Sequence, residues 1–130
     1  MSDQARDGGD LKHLLVVLDD DVAARNSLVF LLTVEGYEVR SYSSPMELLN
    51  DANLPAFHCL IVDFHMPDMN GLDVVARLRE RSRCPTAILV TSQPAAAILE
   101  RANKLDVPVL VKPLHGNELV DFIRRKKPAQ

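Results

Sequence analysis

Acidic side chains follow two apolar segments of this sequence. Asp19 and Asp20 come directly after the run 14–18, and Asp63 comes directly after the run 57–62. Carboxylates crowded to about 4 Å repel one another by roughly 4 kcal/mol at an effective dielectric constant near 20. Such a cluster persists when a divalent cation neutralises it or when one acid stays protonated. Because Mg²⁺ prefers oxygen ligands, these residues are candidate ligands of a magnesium ion.

A hydroxyl and an ammonium group end two further apolar segments. Thr91 closes the run 87–90, and Lys112 closes the run 109–111. In a parallel sheet these side chains emerge at the carboxyl-terminal edge, where open α/β sheets place their ligands. The combination suits phosphoryl transfer to a carboxylate, because a metal ion and a lysine offset charge on the phosphoryl oxygens. The hydroxyl would donate a hydrogen bond to one of these oxygens while a carboxylate attacks in line.

Short apolar runs alternate with longer amphipathic stretches, which is typical of βα units around a parallel sheet. The predicted strands are 14–18, 38–42, 59–62, 87–91 and 109–111; the predicted helices run from Asp21 to about 35, from 44–45 onward, and over 72–81, 94–104 and 117–126. We therefore predict an α/β fold, a flavodoxin-like (βα)5 doubly wound parallel sheet in the order 2-1-3-4-5. That order places strands 1 and 3 side by side and brings Asp19, Asp20 and Asp63 into one pocket.

Residues with capping preferences mark the ends of the predicted helices. Asp21 is placed to cap the first helix, and Gly36 to end it. The segment 44–47, Ser-Pro-Met-Glu, has the residue types expected at the N-cap, first and third positions of the second helix. Gly71, just before the third helix, is expected to serve a turn with positive φ.

Composition indicates one globular domain and excludes two classes of partner. The chain has 130 residues, 47% of them apolar and 25% charged, and its net charge of −3 predicts no general affinity for nucleic acid. Its basic run, 124–127, closes the last predicted helix, where it complements the helix dipole. The longest uninterrupted apolar runs, 14–18 and 28–32, are far too short to span a membrane.

The two cysteines and the polar N-terminus predict a cytoplasmic protein. Cys59 and Cys84 lie in or beside apolar segments without metal-type spacing, so we expect buried free thiols. The first ten residues contain no apolar stretch typical of a signal peptide. We expect a flexible tail over 1–12, one domain over 13–127 and a short tail over 128–130.

Four pieces of the sequence, in this order and at these intervals, resemble the receiver domain of two-component response regulators, of the kind that includes the chemotaxis regulators. They are Asp19-Asp20, the run 63–71 (Asp-Phe-His-Met-Pro-Asp-Met-Asn-Gly), Thr91-Ser92 and Lys112-Pro113. The resemblance covers about residues 13–126. It implies that Asp63 accepts a phosphoryl group from a phosphohistidine on a sensor histidine kinase or a phosphotransfer protein.

The same resemblance implies a set of metal ligands. Asp20, Asp63 and the backbone carbonyl of His65 would ligate Mg²⁺, with Mn²⁺ as a second candidate ion. Asp19 would contribute through a water molecule. The domain would catalyse only its own aspartyl phosphorylation and dephosphorylation, and would then change conformation to signal to a downstream protein.

Roles for the other strand-end residues also follow from the resemblance. Thr91 and Lys112 would bind the phosphoryl oxygens in the active state, and the peptide before Pro113 is typically cis in this family. One position departs from the family pattern: Val109 stands where an aromatic residue is usual. Signalling through the fourth helix and fifth strand is therefore expected to be weak or to travel by backbone shifts.

Other interpretations stay open at this stage. Asp19-x-Asp21 is similar to the nucleophile motif of haloacid-dehalogenase-like phosphatases, although Ala23 stands where that motif requires threonine. A degenerate receiver that binds partners without phosphorylation is a third interpretation, for which Val109 is the argument. His65 is either a solvent-facing loop residue or, with Gln93, a group that tunes water access to the phosphoaspartate.

The sequence leaves the downstream partner unidentified. After the last predicted helix too few residues remain for a DNA-binding output domain, so we expect none in this chain; the sequence does not decide between a single-domain regulator and an excised receiver. Val29 and Phe30 lie beyond the inward face of the first helix. An exposed apolar strip there would pair with a partner or form a homodimer.

Overall fold

The computed structural model describes residues 14–81, 86–114 and 117–125, in which five strands alternate with five helices. The strands are β1 (Leu14–Leu18), β2 (Glu38–Tyr42), β3 (Cys59–Asp63), β4 (Ala87–Thr91) and β5 (Val109–Val111). The helices are α1 (Val22–Val34), α2 (Pro45–Leu49), α3 (Gly71–Glu80), α4 (Ala96–Lys104) and α5 (Glu118–Arg125). All strand pairs are parallel and the sheet order is β2-β1-β3-β4-β5, which confirms the predicted fold.

Apolar composition along the strands decides their place in the sheet. The five residues of β1 and of β4 are all buried, as are the first four of β3, and these strands form its centre. In β2 the three polar residues, Glu38, Arg40 and Ser41, are all exposed, and this strand lies at one edge. The short β5 lies at the other edge, directly after Pro108, a residue that central strands rarely tolerate.

Two helical layers cover the sheet. Leu14, Val16 and Leu18 of β1 pack in a core with α2, α3 and α4, whereas Leu15 and Val17 pack in a second core with α1 and α5. Successive side chains of a strand point to opposite faces, so a continuous apolar run serves both cores at once. This arrangement fixes the orientation of each strand, and with it the direction in which its last residue leaves the sheet.

Helix ends follow the predicted capping signals. The Asp21 carboxylate accepts a hydrogen bond from the Ala24 N–H at 2.9 Å and caps α1. Gly36, just past the end of α1, adopts a φ of 98°, a conformation that favours glycine. The α3 helix begins at Gly71 rather than 72, and α4 begins at Ala96, two residues after the predicted start at 94.

The start of α2 resembles a capping box, except that the Glu47 side chain bonds Ser43 rather than the N-cap residue Ser44. The Ser44 hydroxyl accepts from the Glu47 N–H at 3.1 Å, and the Glu47 carboxylate accepts from the Ser43 N–H at 2.7 Å. The Ser43 hydroxyl donates to the same carboxylate at 3.0 Å, and the two hydrogen bonds from Ser43 lower the pKa of Glu47. The predicted N-cap is therefore confirmed.

The substitution Ser44→Ala tests this cap. It is expected to lower the free energy of unfolding by about 1 kcal/mol, because the N–H group of Glu47 loses its acceptor. Ser44→Thr, which keeps a hydroxyl oxygen at the position, should retain most of that stability. Urea unfolding monitored by circular dichroism measures both, and equal stabilities of Ser44→Ala and the natural protein would contradict the prediction.

Some sequence expectations fall on residues whose structure is not described. Cys59 is buried, as predicted, whereas Cys84 lies outside the described residues. The tails proposed over 1–12 and 128–130 also lie outside them, as do positions 13 and 126–127 of the proposed domain. Within the described part of the chain, none of the helices combines the length and apolar character needed to cross a membrane.

Candidate functional site

Three carboxylates meet where β1 and β3 end. Asp19, Asp20 and Asp63 each offer an oxygen, and these oxygens all lie within 4.8 Å of one another. The strand register explains the meeting, because Leu18 pairs with Val62, directly before the acidic residues of both strands. Asp19 is buried, Asp63 is half-buried and Asp20 is exposed, so the cluster opens to solvent on one side. Three hard oxygen donors at this spacing fit Mg²⁺.

Asp19 is fixed in place through all of its polar groups. Its Oδ1 accepts from the Asp21 N–H at 3.0 Å, and its Oδ2 lies 3.5 Å from the Lys112 ammonium. Its backbone carbonyl accepts from the Arg25 guanidinium at 2.8 Å, and its N–H donates to the Tyr42 carbonyl at 3.3 Å. The inner wall of the cluster is therefore rigid. Asp19 also has little access to solvent, with 1% of it exposed.

Lys112 links the two strands of the cluster. Its Nζ lies 3.5 Å from Asp19 Oδ2 and 3.6 Å from Asp63 Oδ1, and about a quarter of its side chain is exposed. Its backbone N–H donates to the Thr91 carbonyl at 2.9 Å, which holds the end of β5 against β4. The peptide between Lys112 and Pro113 is cis, as the family resemblance implied. One ammonium therefore lies beside two of the three carboxylates of the cluster.

Thr91 closes β4 beside this cluster and is fully buried. Its hydroxyl accepts a hydrogen bond from the Gln93 N–H at 3.3 Å. Residue 90 of β4 pairs with Asp63 of β3, so Thr91 lies one residue beyond the level of Asp63. The structure thus brings the five strand-end residues of the sequence prediction to one edge of the sheet: Asp19, Asp20, Asp63, Thr91 and Lys112.

Burial raises the pKa of Asp63 above its usual range. The Lys112 ammonium opposes this shift, and the negative charges of Asp19 and Asp20 add to it. The folded protein therefore disfavours an ionised Asp63 in the absence of a cation. A divalent ion bound among the three carboxylates would reverse that preference, because it stabilises the charged form.

Asp63→Asn should therefore raise stability in a metal chelator, and the gain should depend on pH. Because the pKa of Asp63 is higher in the folded than in the unfolded protein, the folded state binds more protons between the two values. The free energy of unfolding of the natural protein consequently falls as pH rises from about 4 through the folded pKa. Asp63→Asn has no carboxyl to ionise at this position. Its free energy of unfolding should therefore exceed that of the natural protein by an amount that grows over the same pH range.

Urea unfolding in EDTA at a series of pH values measures this difference. Asp68→Asn removes an exposed carboxylate from the same loop and is the matched control. Its stability should follow that of the natural protein. A pH-independent difference between Asp63→Asn and the natural protein would show that the Asp63 carboxyl is not destabilised by ionisation.

The loop after β3 returns to the strand end through Asn70 and Gly71. The Asn70 side chain accepts from the Asp73 N–H at 2.9 Å and caps α3, and the Gly71 N–H donates to the Phe64 carbonyl at 3.0 Å. A Cβ on Gly71 would lie 2.4 Å from the Asp63 carbonyl oxygen. The predicted positive φ at Gly71 is wrong: the positive-φ glycine of the described residues is Gly36. Glycine is required at 71 by close approach of the two backbones.

The remaining predicted residues of the site lie around its rim. His65 is exposed, and its ring lies nearly perpendicular to the Phe64 ring, with 4.9 Å between centroids. Gln93 is exposed as well. Val109 is half-buried and packs against the core formed with α2, α3 and α4. The assignment of the His65 carbonyl as a metal ligand stays a prediction.

The structure gives no support to a phosphatase motif at Asp19-x-Asp21. The Asp21 carboxylate caps α1, and Asp19 is buried with both carboxylate oxygens in contact with donors. Arg25, which donates to the Asp19 carbonyl, was not predicted as part of the site. Its position one turn into the helix that follows the acidic residues is the feature from which its contact with them could have been predicted.

Known proteins are similar to this chain in sequence and in fold. Residues 15–124 match the family described as the response regulator receiver domain. The response regulator protein TodT of Pseudomonas putida is 34% identical over 116 residues, which cover 88% of this chain and 51% of that protein. The transcriptional regulatory protein FixJ of Bradyrhizobium diazoefficiens is 28% identical over 123 residues, covering 91% of this chain and 60% of that protein.

A solved structure agrees at the level of the fold. The chemotaxis protein CheY4 of Vibrio cholerae superposes with a TM-score of 0.79 at 24% identity, covering 86% of this chain and 96% of that one. The two curated regulators are longer than the matched region, and this chain spans about half to three fifths of their length.

Proposed function

Because this chain belongs to the family of response regulator receiver domains, we propose that Asp63 accepts a phosphoryl group from a phosphohistidine of a sensor histidine kinase or phosphotransfer protein. Phosphorylation and dependence on Mg²⁺ are general to this family. The finer proposal is that Asp19, Asp20, Asp63 and the His65 carbonyl hold the ion, which is Mg²⁺ or Mn²⁺. The observation that supports it is that oxygens of the three carboxylates lie within 4.8 Å of one another, with the Lys112 ammonium beside Asp19 and Asp63.

Each residue of the site has a distinct task in this reaction. An oxygen of Asp63 attacks the phosphorus atom, an acyl phosphate bond forms, and the bond from phosphorus to the donor nitrogen breaks. Lys112, already 3.6 Å from Asp63, offsets negative charge on the transferred group. The bound cation supplies further charge neutralisation at the phosphoryl oxygens.

We propose one role each for two further residues of the site, Thr91 and Asp19. The Thr91 hydroxyl is buried next to the end of β4, where it can donate to a phosphoryl oxygen once the group is attached. Asp19 is held by neighbouring donors and would contribute to the metal site through water. The acyl phosphate is then lost by hydrolysis, so the domain catalyses its own phosphorylation and dephosphorylation.

Acetyl phosphate tests this proposal without the cognate kinase. Incubation of the full chain with Mg²⁺ and acetyl phosphate should add one phosphoryl group, seen by intact-mass spectrometry. The adduct should survive acid and disappear in base, as acyl phosphates do. EDTA should prevent the labelling. Absence of any adduct at saturating Mg²⁺ would contradict the proposal and would favour a receiver that binds partners without phosphorylation.

We propose only the kind of partner that responds to phosphorylation of this domain. The curated relatives include a transcriptional regulatory protein, so a downstream protein or domain is expected to read the phosphorylated state. Val109 has no aromatic ring, although receiver domains usually have one at this position, and we propose that backbone shifts at β4 and β5 carry the signal instead. A cytoplasmic location is proposed as well, because the sequence carries only two cysteines, without metal-type spacing.

A further inference from the structure

Arg25 holds the turn that carries two of the three carboxylates. Its guanidinium Nη1 donates to the Asp19 carbonyl at 2.8 Å, and its backbone N–H donates to the Asp21 carbonyl at 2.9 Å. The Asp21 N–H in turn donates to Asp19 Oδ1 at 3.0 Å. Asp20, the exposed member of the cluster, lies between the two residues that Arg25 contacts. Arg25 therefore fixes the turn on both sides of Asp20.

The hydrogen bond to the Asp19 carbonyl bears directly on Asp20. That carbonyl belongs to the peptide group between the two residues, and a peptide group is a rigid plane that ends at the Cα of Asp20. Residue 19 is also fixed on its other side, because its N–H donates to the Tyr42 carbonyl at 3.3 Å. The guanidinium therefore sets where the Cα of Asp20 lies, and with it where the Asp20 carboxylate can reach.

Water has little access to the carbonyl that Arg25 contacts. Asp19 is 1% exposed, and Arg25 itself is half-buried. A buried carbonyl without a donor costs free energy, so the turn would rotate to find another partner if the guanidinium were removed. Such a rotation moves Asp20 relative to Asp63, whose position is fixed by the pairing of β3 with β4.

The charge of Arg25 acts in the opposite sense from its hydrogen bond. A positive charge close to the carboxylates repels a divalent cation, whereas a fixed arrangement of ligands favours its binding. The Glu47 carboxylate offsets part of this charge: after the hydrogen bonds from Ser43, the charge of Arg25 contributes to the lowered pKa of Glu47. We therefore expect the hydrogen bond to have the larger effect on the ion.

We propose that Arg25 is a positioning residue of the magnesium site: its guanidinium holds the Asp19 carbonyl and thereby places the Asp20 carboxylate where it can bind the ion together with Asp63. The proposal rests on the magnesium site proposed above and adds to it a residue outside the carboxylate cluster. Groups that orient the ligands of a metal typically contribute about 10- to 100-fold to metal affinity.

Isothermal titration calorimetry of the full chain with MgCl₂ tests this role through the Kd of the ion. Arg25→Met keeps an unbranched side chain but removes the donor and the charge, and should raise Kd by at least about tenfold. Arg25→Lys keeps the charge and a donor, and should recover part of that loss. Arg124→Met removes a guanidinium at the other end of α1, where it lies 3.1 Å from Glu35, and should leave Kd unchanged.

The direction of the change separates positioning from the other roles that Arg25 could have. Tighter binding by Arg25→Met would show that the guanidinium acts through its charge alone. An unchanged Kd with a lower free energy of unfolding would show that it only stabilises the turn. Either result overturns the proposal. If Arg25→Met does not fold, the neutral and shorter Arg25→Gln gives the same test, in which weaker binding supports positioning and tighter binding overturns it.

Labelling by acetyl phosphate provides a second measurement. Arg25→Met leaves Asp63, Thr91 and Lys112 unchanged, so a high concentration of Mg²⁺ should restore most of the labelling rate. The Mg²⁺ concentration that gives half-maximal labelling should rise by the same factor as Kd. A rate that stays low at saturating Mg²⁺ would show that Arg25 does not act through the ion, and would overturn the proposal.

The natural protein distinguishes failure of this proposal from failure of the proposed function. If the natural protein binds no Mg²⁺ in the calorimeter, the proposed metal site is wrong, and the role of Arg25 is wrong with it. If the natural protein binds Mg²⁺ and Arg25→Met binds it equally well, the metal site stands and only the role of Arg25 is wrong.

Discussion

Asp63→Asn is expected to abolish phosphoryl uptake. The substitution replaces the attacking carboxylate oxygen with a neutral amide, which is a poor nucleophile, and removes one of the three carboxylates of the cluster. We expect labelling by acetyl phosphate and Mg²⁺ to fall by more than about 100-fold, the size of effect typical of loss of an essential nucleophile. Intact-mass spectrometry over a time course measures the fraction of labelled chain.

Asp68→Asn is the matched control for this experiment. Asp68 lies in the same loop and undergoes the same chemical change, but it is exposed and does not belong to the carboxylate cluster. Its labelling should equal that of the natural protein. Since Asp63→Asn is expected to be more stable than the natural protein in chelator, loss of labelling would not reflect unfolding. An acid-stable, base-labile adduct of undiminished yield in Asp63→Asn would rule out Asp63 as the acceptor.

The strands could be predicted from sequence because each carries its own signal. Solidly apolar runs fit only the centre of a parallel sheet, and the largely polar β2 and the short β5 after Pro108 fit its edges. Once the order of the strands is fixed, the residue after each strand must lie at one edge. The meeting of Asp19, Asp63 and Lys112 therefore followed from local patterns and the rule of right-handed crossovers.

Other features of the fold and the site could not be predicted, because they depend on three-dimensional distances or are not marked by any residue type. The hydrogen bond from Arg25 to the Asp19 carbonyl requires the geometry of the turn between β1 and α1. The start of α4 at Ala96 has no side-chain cap, so no residue type marks it. The role of Gly71 was predicted wrongly for the same reason, because residue type alone does not distinguish a positive φ from a close contact.

Gly71→Ala is expected to be strongly destabilising. The new Cβ would lie 2.4 Å from the Asp63 carbonyl oxygen and 3.1 Å from Leu89 Cδ1, so the backbone of β3 or the start of α3 must move. Both segments are packed against the core, and we expect a loss of about 3 kcal/mol in the free energy of unfolding, at the upper end of overpacking effects. Displacement of Asp63 should also slow labelling by acetyl phosphate.

Substitutions at Gly36 serve as the control, because glycine is required there by its backbone conformation and not by a close contact. Its φ is 98° and no atom lies within 4 Å of the position that a Cβ would occupy, so Gly36→Ala should cost about 1 kcal/mol from backbone conformation alone. Asparagine tolerates positive φ better than alanine, so Gly36→Asn should recover part of that stability. At position 71 the order should reverse, with Gly71→Asn at least as unstable as Gly71→Ala, because its side chain is larger. Recovery of stability by asparagine at position 71 would show that conformation, and not contact with Asp63, requires glycine there.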